Sequence, residues 1–143
     1  MNFTPSEVDY LASQPLARLS TIDDDEQPDV VPVAFELGDA VIWVGGSGDS
    51  FLSTRKVRNI MAGRRKVALV VDDMVSFAPF IARGIRIYGR ADDPIERVGM
   101  VGPGWYLGIT PTLSWSWNMD GLPVGDEWYS SHRRHHETAT GSA

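Results

Sequence analysis

The segment at residues 66–71, KVALVV, constrains the fold of this chain more than any other stretch. After its lysine it is continuously apolar, which is the pattern of a β-strand covered on both faces. A chain of 143 residues, of which 43% are hydrophobic, has room for one compact domain and not for two of ordinary size. In so small a domain, cover on both faces indicates a barrel wall that packs on a partner chain.

Other segments have the composition or the alternation of strands, and they predict a mainly β domain. They are residues 16–22, 30–37, 40–44, 81–91 and 105–117. Pro32 and Pro111 fall inside two of them, which indicates open edges or bulges because proline donates no ladder hydrogen bond. We expect one domain over residues 1–143, with a helical segment at 1–14 and a less regular tail at 118–143. Thr4 and Glu7 have the spacing of a capping box for that first helix.

A short basic helix precedes the apolar strand. Ser53 is a natural N-cap and Gly63 a natural stop, yet the first turn carries Arg55, Lys56 and Arg58 where acids are favoured. A bound anion removes this mismatch, since a phosphate can accept hydrogen bonds from the free N–H groups and from the side chains. The alternative is a solvated basic helix. Just upstream, Gly45-Gly46-Ser47-Gly48 permits the close backbone approach that a cradle for a phosphate or a ring edge needs.

Several of these segments together resemble a known superfamily. TRKVRNI followed by RRKVALVVDD, with LARLSTID, QPDVVPVAF, AVIWVGG, ARGIRIYGRADD and YLGITPTLSWSW, is similar to the pyridoxamine 5′-phosphate oxidase-like superfamily. Within it, the chain most resembles the enzymes that use coenzyme F420. The resemblance implies a mainly β fold with short helices, namely a split β-barrel of about six antiparallel strands in Greek-key order. It also implies a homodimer with the cofactor site at the subunit interface.

The resemblance and the basic helix together give a set of expected cofactor contacts. We expect Thr54, Arg55 and Lys56 to hold the cofactor phosphate and Asn59 to add a polar contact. The ring system of the cofactor is expected to lie against two backbone segments, Val31, Pro32 and Val33 and then Val44, Gly45 and Gly46. The other subunit is expected to supply Trp115 and Trp117 around the substrate.

No motif in the chain supplies catalysis without a cofactor. There is no Ser-His-Asp arrangement and no HExxH, and the absence of cysteine excludes thiol chemistry and disulfides. We therefore predict an oxidoreductase in which reduced F420 gives a hydride to an electron-poor double bond of a planar small molecule. No catalytic side chain and no metal ligand is assigned.

Three alternatives stay open. FMN can replace F420, although the basic surplus suits the polyglutamate tail of F420 better. The protein can instead be a non-catalytic carrier of the cofactor. A third possibility is haem binding through His132, His135 and His136, although a terminal histidine cluster is more often solvated.

Charge and hydropathy restrict the partners. A net charge of −6 argues against general nucleic-acid binding, while Arg55, Lys56, Arg58, Arg64, Arg65 and Lys66 form a local basic island. A basic island on an acidic protein favours a small anionic partner. No apolar run has the length of a membrane span, and the N-terminus lacks a signal-peptide pattern, so we expect a cytoplasmic protein.

Overall fold

The computed structural model describes residues 1–46 and 48–137, in which β-strands dominate. Two α-helices, a short 3-10 helix at Asp49–Ser53 and eight strands occur there. The helices are α1 (Pro5–Ser13) and α2 (Arg55–Met61). The strands are β1 (Leu16–Ile22), β2 (Pro28–Leu37), β3 (Ile42–Gly46), β4 (Lys66–Ser76), β5 (Ile81–Ala91), β6 (Ile95–Gly99), β7 (Gly102–Trp117) and β8 (Ser131–His135).

Six of the strands close into an antiparallel barrel. The sheet order is β3-β2-β1-β4-β5-β7-β6, and an additional pairing of β3 with β7 closes the ring. Strands β1, β2 and β3 follow one another as hairpins and β4 returns beside β1, which is the Greek-key arrangement. The predicted six-stranded split barrel is therefore confirmed.

The barrel is filled by apolar side chains that alternate in burial along the strands. In β4, Val67, Leu69 and Val71 are buried inside the barrel, whereas Ala68 and Val70 face outward and remain half-buried. Burying each inward side chain contributes about 1.5 to 3 kcal/mol to folding. One chain thus covers only the inner face of this apolar strand, which the sequence predicted to be covered on both faces.

The N-terminal helix closes one end of the barrel. The amide of Glu7 donates to the hydroxyl oxygen of Thr4 (3.2 Å), and the amide of Thr4 donates to the Glu7 carboxylate (2.9 Å), so the predicted capping box is present. Tyr10 and Leu11 bury their side chains in the core. Neither this helix nor any other in the described residues is long and apolar enough to cross a membrane.

The structure has more strand than the sequence predicted. Residues 92–104, between two of the predicted strands, contain β6 and the turn into β7, where Gly102 has a φ of 85° that a glycine adopts without strain. The tail, expected to be less regular, contains β8, which pairs with β7 from Leu113 to Trp117. Both additions use exposed edges of the long strand β7, and such edges offer unpaired backbone groups.

Candidate functional site

The basic helix begins one residue later than predicted. Thr54, not Ser53, is the N-cap of α2, and no side chain caps the helix. The Ser53 hydroxyl donates to the Ser50 carbonyl (2.9 Å) and the Thr54 hydroxyl donates to the Phe51 carbonyl (2.7 Å). Both hydroxyl groups are therefore used by the preceding 3-10 turn. The first N–H groups of α2 are left without a side-chain acceptor.

Positive charge gathers at this uncapped end. The first turn of α2 contains no acidic residue. Farther along, Arg64 and Arg65 pair with Asp24 (3.7 Å) and Asp93 (2.8 Å). Within residues 1–46 and 48–137, by contrast, Arg55, Lys56 and Arg58 make no ion pair. Free N–H groups and unpaired cations at one helix end form a suitable environment for a phosphate or a carboxylate.

Lys56 is held against the body of the protein, whereas Arg55 is exposed to solvent. The Lys56 ammonium lies 5.2 Å from the centre of the Phe51 ring, in cation–π range. Burial lowers the pKa of Lys56, and the nearby Asp29 carboxylate partly opposes this shift. A half-buried, unpaired ammonium gains more from an incoming anion than a fully solvated one, because less solvent screens the pair.

The glycine segment lies directly beside Phe51. A Cβ on Gly46 would come within 2.3 Å of the Phe51 ring, and one on Gly45 within 2.3 Å of the Tyr106 ring. These two glycines are thus required by aromatic packing, which the sequence did not reveal. Val44 is fully buried, so only its backbone can face a ligand. Ser47 lies outside the described residues.

The second predicted backbone contact lies on an open edge. β2 pairs with β1 along residues 28–34, but β3 covers only Phe35 to Leu37 on its other side. The backbone at Val31, Pro32 and Val33 therefore has a strand on one side only, as Pro32 predicted. The Val33 side chain is buried in the core, and Val31 is half-buried.

Asn59, for which a polar contact with the cofactor is predicted, makes a hydrogen bond within the chain. Its side chain is only 7% exposed, and its amide donates to the Thr21 hydroxyl at 2.9 Å. This bond ties α2 to β1. The structure thus gives Asn59 the role of positioning the helix that carries Arg55 and Lys56.

Trp115 and Trp117 share one face of β7, as predicted, while Ser114 and Ser116 on the opposite face are buried. The guanidinium of Arg86 lies 4.0 Å from the Trp115 ring centre. Around the closed sheet, β7 is four strands from β2 by way of β5, β4 and β1, and two by way of β3. Trp115 contacts β5, whereas α2 packs on β1 and on the 3-10 helix.

Sequence reasoning missed an open cavity of about 490 Å³ next to the glycine segment. Its walls come from the β6–β7 hairpin and from the start of the 3-10 helix, and its lining includes Trp105, Glu96 and Asp49. Trp105 pairs with Gly46 across β3 and β7. Only the strand register brings these residues together, so no local pattern in the sequence could have identified the cavity.

The three histidines do not converge. No group of three potential metal ligands occurs in the described part of the chain. His136 is buried, its Nδ1 accepts from the Asn2 backbone N–H (2.9 Å), and its Nε2 lies 2.8 Å from the Ser114 hydroxyl. Both ring nitrogens are occupied, so His136 in this conformation offers no free nitrogen to a haem iron.

Comparison with known proteins supports the resemblance. No family model matches the chain. The chain is 36% identical over 91 residues to a 5a,11a-dehydrotetracycline/5a,11a-dehydrooxytetracycline reductase from Streptomyces rimosus. That match covers 64% of this chain and 63% of the relative, which is less than two thirds of the relative's own length.

Solved structures share the fold at low identity. An F420 reductase aligns with a TM-score of 0.59 and 19% identity, covering 78% of this chain and 98% of that one. An FAD-binding protein from Mesorhizobium loti aligns with a TM-score of 0.54 and 18% identity, covering 76% and 86%. HutZ, a haem storage protein from Vibrio cholerae, aligns with a TM-score of 0.57 and 13% identity, covering 78% and 91%. At these identities the likeness establishes the fold alone.

The closed barrel, with the helix placed between β3 and β4, is the fold that these solved structures share. The split-barrel fold that the resemblance to the pyridoxamine 5′-phosphate oxidase-like superfamily implied is therefore confirmed.

Proposed function

We propose that this protein is an F420-dependent oxidoreductase that transfers a hydride between the deazaflavin and an unsaturated planar small molecule. The observation that carries the proposal is the basic end of α2, which has no side-chain cap and no ion pair within the described residues, and where the Lys56 ammonium lies over the Phe51 ring that packs on Gly46. This end fits an anionic cofactor because free N–H groups and cations both favour negative charge there. The reductase from Streptomyces rimosus supports the reaction class.

F420 is favoured over FMN by the number of basic groups. One phosphate needs only part of the charge that Arg55, Lys56 and Arg58 supply, whereas the additional carboxylates of a polyglutamate tail can pair with the remainder. The fold likeness to an F420 reductase agrees with this choice. FMN is the alternative cofactor at the same site.

The dimer that we propose rests on one row of outward-facing residues. Pro32, Arg18, Val70, Arg86 and Trp115 lie side by side across β2, β1, β4, β5 and β7. A two-fold axis through Val70 puts Trp115 of one protomer on the side of Pro32 of the other. Because a barrel wall is convex, the two faces leave a cleft at each end of the row, between the open edge of β2 and the tryptophans.

In this arrangement the chain binds and shields the cofactor. The basic end of α2 would hold the phosphate of the cofactor, while the free edge of β2 and the backbone at Gly45 and Gly46 would position its ring. Reduced F420 held there would supply a hydride to the double bond, and solvent would supply the proton. Trp115 and Trp117 of the second protomer exclude water from the reacting atoms.

The proposal is tested by purifying the protein, titrating it with F420 and with FMN, and then following the oxidation of each reduced cofactor with planar quinones and enones. We expect F420 to bind more tightly and its oxidation to be accelerated. If FMN binds more tightly than F420 and its oxidation is accelerated, the cofactor is FMN and not F420. Cofactor binding without accelerated turnover would favour the carrier, the second candidate, because no catalytic acid or base is assigned at the site.

A further inference from the structure

The cavity beside the glycine segment is lined by the Trp105 indole and has an acidic edge. Glu96, Trp105 and Gly46 are direct cross-strand neighbours on β6, β7 and β3. Directly opposite residues of an antiparallel pair project from the same face, about 5 Å apart at Cβ. Glu96 therefore flanks the indole on one side, and the Phe51 ring, which packs on Gly46, occupies the other.

The carboxylates at this cavity are available to a ligand. Asp49 and Glu96 both line it and are exposed, and neither makes an ion pair within the described residues. The one basic residue of the lining is already engaged, because Arg97 pairs with Glu36 at 2.8 Å and stacks 4.3 Å from the Trp43 ring centre. The free charge at the cavity is thus negative.

The acidic cavity is continuous with the basic helix end. Trp105 pairs with Gly46, the Phe51 ring packs on Gly46, and the Lys56 ammonium lies over that ring. A row of adjacent groups therefore runs from a carboxylate, over an indole and a phenyl ring, to an ammonium. Ligands of opposite charge can occupy its two ends, and each is repelled from the other end.

We propose that this cavity is a substrate subsite for a planar molecule that carries a positive charge, such as a protonated amine. The Trp105 face stacks on the planar ring system, and Glu96, with Asp49, pairs with the cation. Glu96 is thus a specificity-determining residue. The inference rests on the proposed function only in calling the ligand a substrate, since the subsite itself needs no cofactor.

The test uses two probes of equal ring size and opposite charge on the purified, cofactor-free protein. Fluorescence anisotropy measures the binding of 9-aminoacridine, a cation, and of acridine-9-carboxylate, an anion. We expect the cation to bind at least about fivefold more tightly, which is the scale of one partly exposed ion pair. Glu96→Gln removes this preference, and Trp105→Ala weakens the binding of both probes.

Glu127→Gln is the matched control, because Glu127 is an exposed acid that does not line the cavity. It should leave both dissociation constants unchanged. The inference would be overturned if the wild type bound the two probes equally. It would also be overturned if the preference for the cation survived both Glu96→Gln and Asp49→Asn. Neither result depends on F420 binding, so failure here is distinguishable from failure of the proposed function.

Discussion

Lys56 is the charged residue of the basic helix end whose side chain is half-buried, whereas Arg55 and Arg58 are exposed. Its ammonium packs over Phe51, its pKa is lowered by burial, and no carboxylate within the described residues pairs with it. Arg55, one position earlier, is exposed and pays little desolvation. Lys56 should therefore contribute more than Arg55 to the binding of an anion.

Lys56→Ala should weaken F420 binding by about 1 to 3 kcal/mol, the scale of a charge-assisted hydrogen bond. Fluorescence titration of the cofactor measures the change. Lys66→Ala is the control, since Lys66 is an exposed lysine at the start of β4. An unchanged dissociation constant for Lys56→Ala would remove this side chain from the site.

We expect His136 to lower the stability of the folded protein at acidic pH. The Asn2 backbone N–H donates to Nδ1, so that nitrogen carries no proton, and the Phe3 ring packs 4.4 Å away. Burial lowers the pKa of His136; the positive charges of the N-terminus, Arg134 and His135 lower it further, and Glu7 opposes them. The folded state therefore favours neutral histidine.

We expect His136 to contribute stability above pH of about 6.5, the ordinary pKa of histidine, and to lose it as pH falls further. The unfolded chain then binds the proton more readily than the folded chain does. Urea unfolding at pH 8 and pH 5.5 should show a loss from this histidine of at most about 1.4 kcal/mol in the wild type, the linkage limit for one group one pH unit below its unfolded pKa. His136→Asn should show a smaller loss, and His132→Asn a loss equal to that of the wild type. Identical losses in all three proteins would contradict this role.

At the scale of elements, the sequence predicted the helix α1 and the strands β1 and β4 because local spacing and composition decide them, whereas the one-sided burial of β4 within the chain was not predicted. Capping chemistry and two-residue periodicity need no distant partner. The start of α2 was predicted one residue early, because serine and threonine cap equally well and only the 3-10 turn discriminates Ser53 from Thr54. Trp105 and Glu96 were missed because they meet Gly46 only through the register of three strands.

The packing of the 3-10 helix against β3 predicts a sensitive glycine. Gly46→Ala puts a Cβ 2.3 Å from the Phe51 ring, so the ring must move. We expect a destabilisation of about 1 to 3 kcal/mol in chemical denaturation. Because Lys56 lies over that ring, the affinity for F420 should also fall. Gly125→Ala, where nothing lies within 4 Å of the new Cβ, is the control; equal stability of the two variants would refute the packing argument.

At the scale of the whole molecule, the basic helix and the tryptophans lie on different parts of one barrel wall. Trp115 contacts Arg86 of β5, whereas α2 packs on β1 and on the 3-10 helix. In the dimer that we propose, a second protomer supplies the tryptophans to the cofactor site across the outer face. The half-exposed Ala68 and Val70 of the apolar strand then become buried.

A shared site predicts complementation between two defective variants. Lys56→Ala and Trp115→Leu each damage both sites of a homodimer, but a mixed dimer has one intact site. Mixing after subunit exchange should restore about a quarter of the sites, since half of the dimers are mixed. Cofactor-dependent turnover measures the recovery. No recovery despite exchange, or light scattering showing a monomer at micromolar concentration, would contradict the shared site.

The central claim is that the basic end of α2 holds an anionic redox cofactor. Equilibrium titration of the wild-type protein with F420, with FMN as the comparison, tests it most directly. The account predicts saturable binding of one F420 per protomer, tighter than FMN and weakened by Lys56→Ala. Absence of binding by either cofactor would contradict it.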